Sequence, residues 1–295
     1  MSEKITFIGF GEAASAIVSG WGPSRHEVFT YDIKLDDPST RGEIVDRCSK
    51  FGVWPCDTPQ EALQDADLVL STVTADQATE AARAASPFLK AGQVWLDLNS
   101  CAPSSKVKSA GLIEAAGGQY VDVAVMAPVY PKLNRVPLLV AGPHADEIAP
   151  RLAGLPMSPR VVPGDIGAAS SIKMIRSIMV KGLEALTAEC TLAAVAAGVQ
   201  DEVFASLLKS HPGTDWPAQT FYNFERSMVH GARRAAEMEE VARTLQDLGL
   251  PSDMVTSTVK WQRKLAAADV PAPENARQIN PETIAHALLP HIRSS

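Results

Sequence analysis

Short apolar runs alternate with longer stretches rich in small residues through the first half of the chain, and the strand-like runs stop near Val162. Lys4–Ile8, Glu27–Tyr31, Asp67–Thr72, Gln93–Leu98, Tyr120–Val125 and Pro137–Ala141 have the length and composition of buried strands. Between them, the Ala-rich stretch Ala75–Ala85 and the segment from Pro103 to about Ala116 read as helices. Such alternation predicts βαβ crossovers and a parallel sheet covered on both faces. Ligands of these sheets bind beyond the carboxyl ends of the strands. That directs attention to the loops starting at Gly9, Asp32, Ser71 and Asn99, with the segment after Val125 nearby. From Asp165 onward the pattern is helical. Asp165 reads as an N-cap and Gly198 as the stop of a helix of roughly 30 residues, about 45 Å long. Further helices are expected over Asp201–Lys209, Trp216–Gly249 (as one helix or two), Ser252–Ala268 and Pro281–Ile292, with a loop over Val270–Asn275.

The first strand runs into Gly9-Phe10-Gly11-Glu12-Ala13-Ala14. In a strand–turn–helix context, the first glycine permits a tight turn and the second lets the backbone approach a pyrophosphate. The third position, here Ala14, lets the helix pack closely on its strand. The helix N-terminus then directs N–H groups and a positive dipole end at the phosphates. Asp32 closes the second strand at the spacing expected of the acid that binds the adenosine ribose hydroxyls. A carboxylate there repels a 2′-phosphate and so favours NAD, whereas Lys34 keeps NADP as the alternative. The expected cofactor residues are these six of the turn, Asp32, Thr72 and Val73 after the Asp67–Thr72 strand, and Asn99 and Ser100 after the Gln93–Leu98 strand.

Composition narrows the class. A 295-residue chain with 46% apolar and 21% charged residues is ordinary for a globular protein of one large or two smaller domains. The net charge of −7 argues against nucleic-acid or membrane-surface partners. The doublet Arg233-Arg234 and the carboxylates Glu237, Glu239 and Glu240 read as solvated helix faces. Cys48, Cys56, Cys101 and Cys190 have no metal-ligand spacing and read as reduced packing thiols, and no metal is expected. The longest apolar stretch, Ile178–Val199, contains Lys181, Glu184 and Glu189, which suits a buried helix and not a membrane span. The early strand leaves no room for a signal peptide, so a cytoplasmic protein is expected.

The start of the long helix, Gly167-Ala-Ala-Ser-Ser-Ile-Lys173-Met-Ile-Arg176-Ser177, carries the second motif. Small residues allow close approach of another group, and Lys173 and Ser177 share one helix face. The segment alone leaves two roles open for Lys173. One is a general acid/base tuned by partial burial and by Arg176; the other is a lysine snorkelling to solvent. Arg176 has three readings: a carboxylate anchor, a tuning charge or an ion-pair partner. Ser177 is a substrate hydrogen-bonding group or a local backbone cap.

Together these segments resemble the β-hydroxyacid dehydrogenase family, which includes 3-hydroxyisobutyrate and 6-phosphogluconate dehydrogenases. The resemblance rests on the glycine turn, on Asp97-Leu-Asn-Ser100-Cys-Ala-Pro103 and on the Gly167–Lys173 segment. Met126-Ala-Pro-Val-Tyr-Pro131, Lys173–Ser177 and His230–Glu239 are similar to a subgroup whose C-terminal helical domain has no assigned function. The resemblance implies Lys173 as the catalytic acid/base. It also implies an α/β Rossmann-type NAD(P)-binding domain over residues 1–164, an all-α substrate and dimerisation domain over residues 165–295, and a homodimer. The chain departs from the family where substrate is held. The family's Asp-x-Pro-Val-Ser-Gly-Gly loop is replaced by Asp122-Val-Ala-Val-Met126-Ala127-Pro128, and Ser177 stands at the position of the family's asparagine.

The expected function is hydride transfer between a nicotinamide cofactor and a β-hydroxyacid or related secondary alcohol. The catalytic residues are Lys173, Arg176 and Ser177, with Met126, Ala127, Pro128 and His230 at the substrate and the active site between the two domains. Reduction of an imine or keto group is the alternative chemistry, and a non-catalytic NAD(P)-binding sensor the alternative class. His230 is equally readable as a packed helix residue, and Trp216, Phe221, Tyr222 and Phe224 as helix packing or as a pocket wall.

Overall fold

The computed structural model describes residues 3–22, 27–272 and 280–293. Residues 273–275 of the expected Val270–Asn275 loop lie outside the described residues. The chain divides into two compact units, residues 1–174 and 175–295.

The first unit is an eight-stranded sheet. Its strands are β1 (Ile5–Ile8), β2 (Val28–Tyr31), β3 (Trp54–Pro55), β4 (Leu68–Ser71), β5 (Val94–Asp97), β6 (Gln119–Val125), β7 (Pro137–Ala141) and β8 (Ser158–Val161). Their order is β3-β2-β1-β4-β5-β6-β7-β8. Helices α1 (Glu12–Trp21), α2 (Pro38–Phe51), α3 (Pro59–Leu63), α4 (Ala78–Ala85), α5 (Pro103–Ala115) and α6 (Ala145–Gly154) connect them. Side chains alternate between two apolar layers with the two-residue period of a strand. Ile5, Phe7, Leu68, Leu70, Val94, Leu96, Val121 and Val123 enter one layer, whereas Ile8, Val69, Trp95 and Tyr120 enter the other. Burial on both faces explains why these strands read as continuous apolar runs.

The pairing is not parallel throughout: β7 runs antiparallel to β6. Residues 126–136 hold only a 3-10 turn, Leu133–Arg135, which is too short for the usual parallel crossover. Helix α2 escapes the apolar pattern because it buries only Ile44 and Cys48. Its ends are nonetheless marked by Asp37, whose side chain accepts the Ser39 N–H, and by left-handed Gly52.

Helix α7 (Ala168–Ala197) begins in the first unit and runs into the second, starting three residues beyond Asp165. The second unit continues with α8 (Gln200–Ser210), α9 (Trp216–Asp247), α10 (Asp253–Ala267) and α11 (Pro281–Arg293). Its core joins Ala188, Leu192 and Val195 to Phe221, Phe224, Leu265, Ile284 and Leu288. Helix α9 is unbroken. A Cβ at its interior Gly231 would lie 2.5 Å from the Gln262 carbonyl oxygen, so this glycine serves close packing against α10 and does not interrupt the helix.

Two surface readings are corrected here. Arg234 is buried and pairs through Nε and Nη2 with the two carboxylate oxygens of buried Glu184, which also accepts from Gln262 Nε2 at 3.1 Å. Glu240 is buried beside Arg243 at 2.9 Å, and Glu237 holds Lys181 at 2.8 Å. Arg233 and Glu239 are exposed, as expected. Helical periodicity turned Arg234, Glu237 and Glu240 inward; α7 supplies the partners of Arg234 and Glu237, and Glu240 pairs with Arg243 one turn along α9. Among the described residues, no helix is long and apolar enough to cross a membrane, and no cluster of His, Cys, Asp or Glu has the makings of a metal site.

Candidate functional site

The strand order changes direction between β1 and β4, and the glycine turn lies at the carboxyl end of β1. That is the switch point where open α/β sheets bind ligands. Gly9 has φ +86°, and a Cβ there would lie 2.8 Å from Val73 Cγ1 and 2.9 Å from the Thr72 carbonyl oxygen. Both conformation and space therefore demand glycine. Thr72 clasps the turn, its Oγ1 donating to the Gly9 carbonyl at 2.7 Å. A Cβ at Gly11 would meet nothing within 4 Å, so the approach to the N-terminus of α1 is open. Gly11, the residue at the N-cap of that helix, supplies no side-chain cap. Ala14 is fully buried, as close packing of α1 on the sheet requires.

Asp32 holds the turn from β2. Its Oδ2 accepts the Phe10 N–H at 2.7 Å, and its Oδ1 accepts the Lys34 N–H at 3.0 Å. Arg47 on α2 donates to the Phe10 carbonyl at 2.8 Å. The Phe10 side chain is core, so only its backbone faces the turn. Lys34 is paired with Glu43 at 3.3 Å.

At the end of β5, Asn99 donates from Nδ2 to Ser71 Oγ at 2.9 Å. Asn99 Oδ1 is buried with no hydrogen-bond partner among the described residues. Buried acceptors are rarely left so, and a bound hydroxyl or amide would satisfy this one. The open cradle at Gly11, the helix end without an N-cap side chain and this acceptor fit a nicotinamide dinucleotide. Next in sequence, Ser100 Oγ accepts from Lys173 Nζ at 2.5 Å. Lys173 is half-buried and thus stands against the loop that follows β5.

Behind that contact lies a buried polar network with no apolar signature in the sequence. Asp97 and Asp122 are register partners on β5 and β6, and Lys106 of α5 reaches in between them. Its Nζ donates to the Asp97 carbonyl at 2.6 Å and to Asp97 Oδ1 at 2.9 Å, and lies 3.6 Å from Asp122 Oδ1. Tyr120 donates to Asp97 Oδ2 at 2.7 Å. Burial opposes the Lys106 charge, but the neighbouring carboxylates, Asp97 foremost, outweigh it and hold the ammonium above its usual range. Burial, then the charge of Asp97, pushes the Tyr120 phenol well up as well. Sequence reading missed Lys106, Tyr120 and Ser170 as site residues. Only the pleat of two adjacent strands shows that Asp97 and Asp122 face the same way.

Met126 is half-buried and packs with Ala124, Leu139, Val162 and Ala169, while its N–H donates to the Pro137 carbonyl at 2.9 Å. Ala127 is half-buried and Pro128 exposed. Arg176, Ser177 and His230 belong to the second unit. Arg176 is exposed, His230 is half-buried on α9, and buried Ser177 accepts from Lys181 Nζ at 3.4 Å. Phe221 and Phe224 are core, Tyr222 is exposed, and Trp216 lines a hollow of 450 Å³ with Phe204 and Leu208. A second hollow of 450 Å³, lined by Asp65, Asp67, Lys90 and Arg151, sits at the amino ends of β4 and β5. That is the wrong edge for a sheet ligand.

Residues 4–146 match the NAD binding domain of 6-phosphogluconate dehydrogenase, and residues 194–265 match a domain of unknown function, DUF1932. The structure of a conserved hypothetical protein from Sinorhizobium meliloti 1021 is 37% identical, with a TM-score of 0.77 over 99% of this chain and 97% of that one. A conserved protein of unknown function, described as structurally similar to 3-hydroxyacid dehydrogenases, is 30% identical. It has a TM-score of 0.69 over 90% of this chain and 97% of its own. Mitochondrial 3-hydroxyisobutyrate dehydrogenase of Mus musculus is 23% identical over 86% of this chain and 76% of its own length. With a dinucleotide cradle at its first turn and relatives aligned over most of its length, the chain belongs to the β-hydroxyacid dehydrogenase family, as a nicotinamide-dinucleotide-binding Rossmann domain followed by a helical domain.

Proposed function

We propose that this protein is an NAD(P)-dependent dehydrogenase that interconverts a β-hydroxyacid, or a related secondary alcohol, with its carbonyl form, using Lys173 as general acid/base. The contact between Lys173 Nζ and Ser100 Oγ carries this reading, because it sets a half-buried amine at the carboxyl edge of the sheet that bears the glycine turn. The backbone of Gly9–Ala14 would hold the pyrophosphate, Asp32 the adenosine ribose, and Thr72, Val73, Asn99 and Ser100 the remainder. When bound, the nicotinamide supplies the hydride acceptor or donor. In the oxidative direction neutral Lys173 takes the substrate hydroxyl proton at Nζ; in the reductive direction its ammonium returns one to the carbonyl oxygen. Ser100 Oγ fixes the amine for that transfer. Arg176 offers a guanidinium for a substrate carboxylate, and Asp32 favours NAD over NADP.

Reduction of a keto group or an imine is a second reading, favoured by Met126. That side chain packs among apolar residues at the position where the family loop has its serine. The same proposal includes a homodimer built on α7.

A panel of hydroxyacids, keto acids and imines, followed at the nicotinamide absorbance band with both dinucleotides, separates these chemistries. Lys173→Ala is expected to lower kcat by about 10²–10⁴-fold. Undiminished turnover by that variant would overturn the acid/base assignment. Tight dinucleotide binding without turnover of any substrate in the panel would point to a sensor.

A further inference from the structure

Ser100 and Lys173 come from segments far apart in sequence, one following β5 and the other in the second turn of α7. Each segment is tied to one carboxylate of the buried pair. Asp97 Oδ1 accepts the Asn99 N–H at 3.0 Å, one residue before Ser100. Asp122 Oδ2 accepts the N–H groups of Gly167 at 3.1 Å and Ser170 at 3.0 Å, and Asp122 Oδ1 accepts from Ser170 Oγ at 2.6 Å. Asp122 therefore caps α7 from another element, at the end where the helix dipole favours a negative charge. Lys106 Nζ, fully buried, joins the two halves.

A buried ion cluster of this kind is a poor source of stability, because apolar side chains of similar volume commonly do as well or better. Here it acts through direction. Two carboxylates in register would repel one another without the ammonium between them, and each holds the backbone of one segment of the site.

We infer that Lys106, Asp97 and Asp122 are positioning residues that set the Ser100–Lys173 contact, by locking the loop after β5 to the first turn of α7. The consequence for turnover rests on the acid/base reading of Lys173; the positional claim does not.

The test uses the full-length protein without substrate. Trace acylation by acetic anhydride, read by peptide mass spectrometry, compares Lys173 with the exposed Lys50 and Lys108. Lys106→Met keeps the volume and removes the charge. It is expected to raise Lys173 labelling severalfold relative to the two references, in a protein that far-UV circular dichroism shows to be folded and that still binds NADH. Tyr120→Phe and Ser170→Ala, which each remove one hydrogen bond to the carboxylate pair, are expected to move labelling the same way by less. In turnover assays Lys106→Met is expected to lose about 100-fold in kcat, the scale of a small misplacement of a catalytic group, with little change in KM.

Wild-type Lys173 labelling in a folded, dinucleotide-binding Lys106→Met would overturn the inference. If that variant does not fold, unchanged labelling in both gentler variants overturns it instead. Altered labelling with unchanged kcat would support the brace and remove Lys173 from catalysis, so the two readings fail separately.

Discussion

The carboxylate of Asp32 accepts the Phe10 and Lys34 N–H groups, so replacing it acts on the glycine turn as well as on any ribose hydroxyl it meets. Hydrogen bonds to a charged group contribute about 1.5–3 kcal/mol each. Asp32→Ala is therefore expected to weaken NAD binding by about 10–150-fold. NADP should lose less, because the deleted charge also repels its 2′-phosphate and Lys34 is already engaged by Glu43. Titration of both dinucleotides by fluorescence checks this. Equal losses would assign Asp32 to the turn alone. The local order of strand, glycines, helix and acid was legible because each member acts on its chain neighbours. The load that Asp32 carries for Phe10 was not, because nothing in the spacing distinguishes a carboxylate facing ligand from one facing backbone.

Helices α7, α9 and α10 meet around Glu184, whose partner Arg234 sequence reading left at the surface. Glu184 is 2% exposed and Arg234 8% exposed, and Gln262 completes the cluster. Glu184→Ala would strand a guanidinium in the core and is expected to destabilise the protein by about 3–5 kcal/mol. Glu184→Leu combined with Arg234→Met should recover most of that loss, since neither charge is then left alone. Urea unfolding of the three proteins, followed by helical circular dichroism, measures it. A double variant no better than Glu184→Ala would show that the pair stabilises the unit in its own right. Element lengths were readable from periodicity, down to the 30 residues of α7. Which charge turned inward depended on the rotation of α9, and that is set by packing on its neighbours.

At the scale of the whole molecule, α7 presents Ile175, Met179, Leu183 and Leu186 on one side, between 46% and 64% exposed. Apolar stripes of this kind mark interaction surfaces, and a second copy of the chain is the partner proposed for this one. Sedimentation equilibrium at micromolar concentration is expected to return twice the 31.4 kDa chain mass. Leu183→Glu with Leu186→Glu should shift the protein to monomer. A monomeric wild type would count against the dimer.

The amino-acid sequence by itself determined that the first domain is a dinucleotide-binding sheet and the second helical. It marked Gly9, Gly11 and Asp32 as candidates for the cofactor, whereas the acid/base role proposed for Lys173 came from the family resemblance alone. The domain and cofactor readings rest on short-range physics: side-chain period, glycine conformation and the spacing of strand, turn and acid. Only the tertiary structure decided that β7 reverses against β6, that Arg234 and Glu184 pair inside, and that Lys106 stands between Asp97 and Asp122. Register between strands and rotation between helices arise from contacts between residues distant in the chain, so no local pattern encodes them. The Gly9–Ala14 turn was legible at once for that reason, whereas the brace behind Ser100 and Lys173 emerged only with the fold.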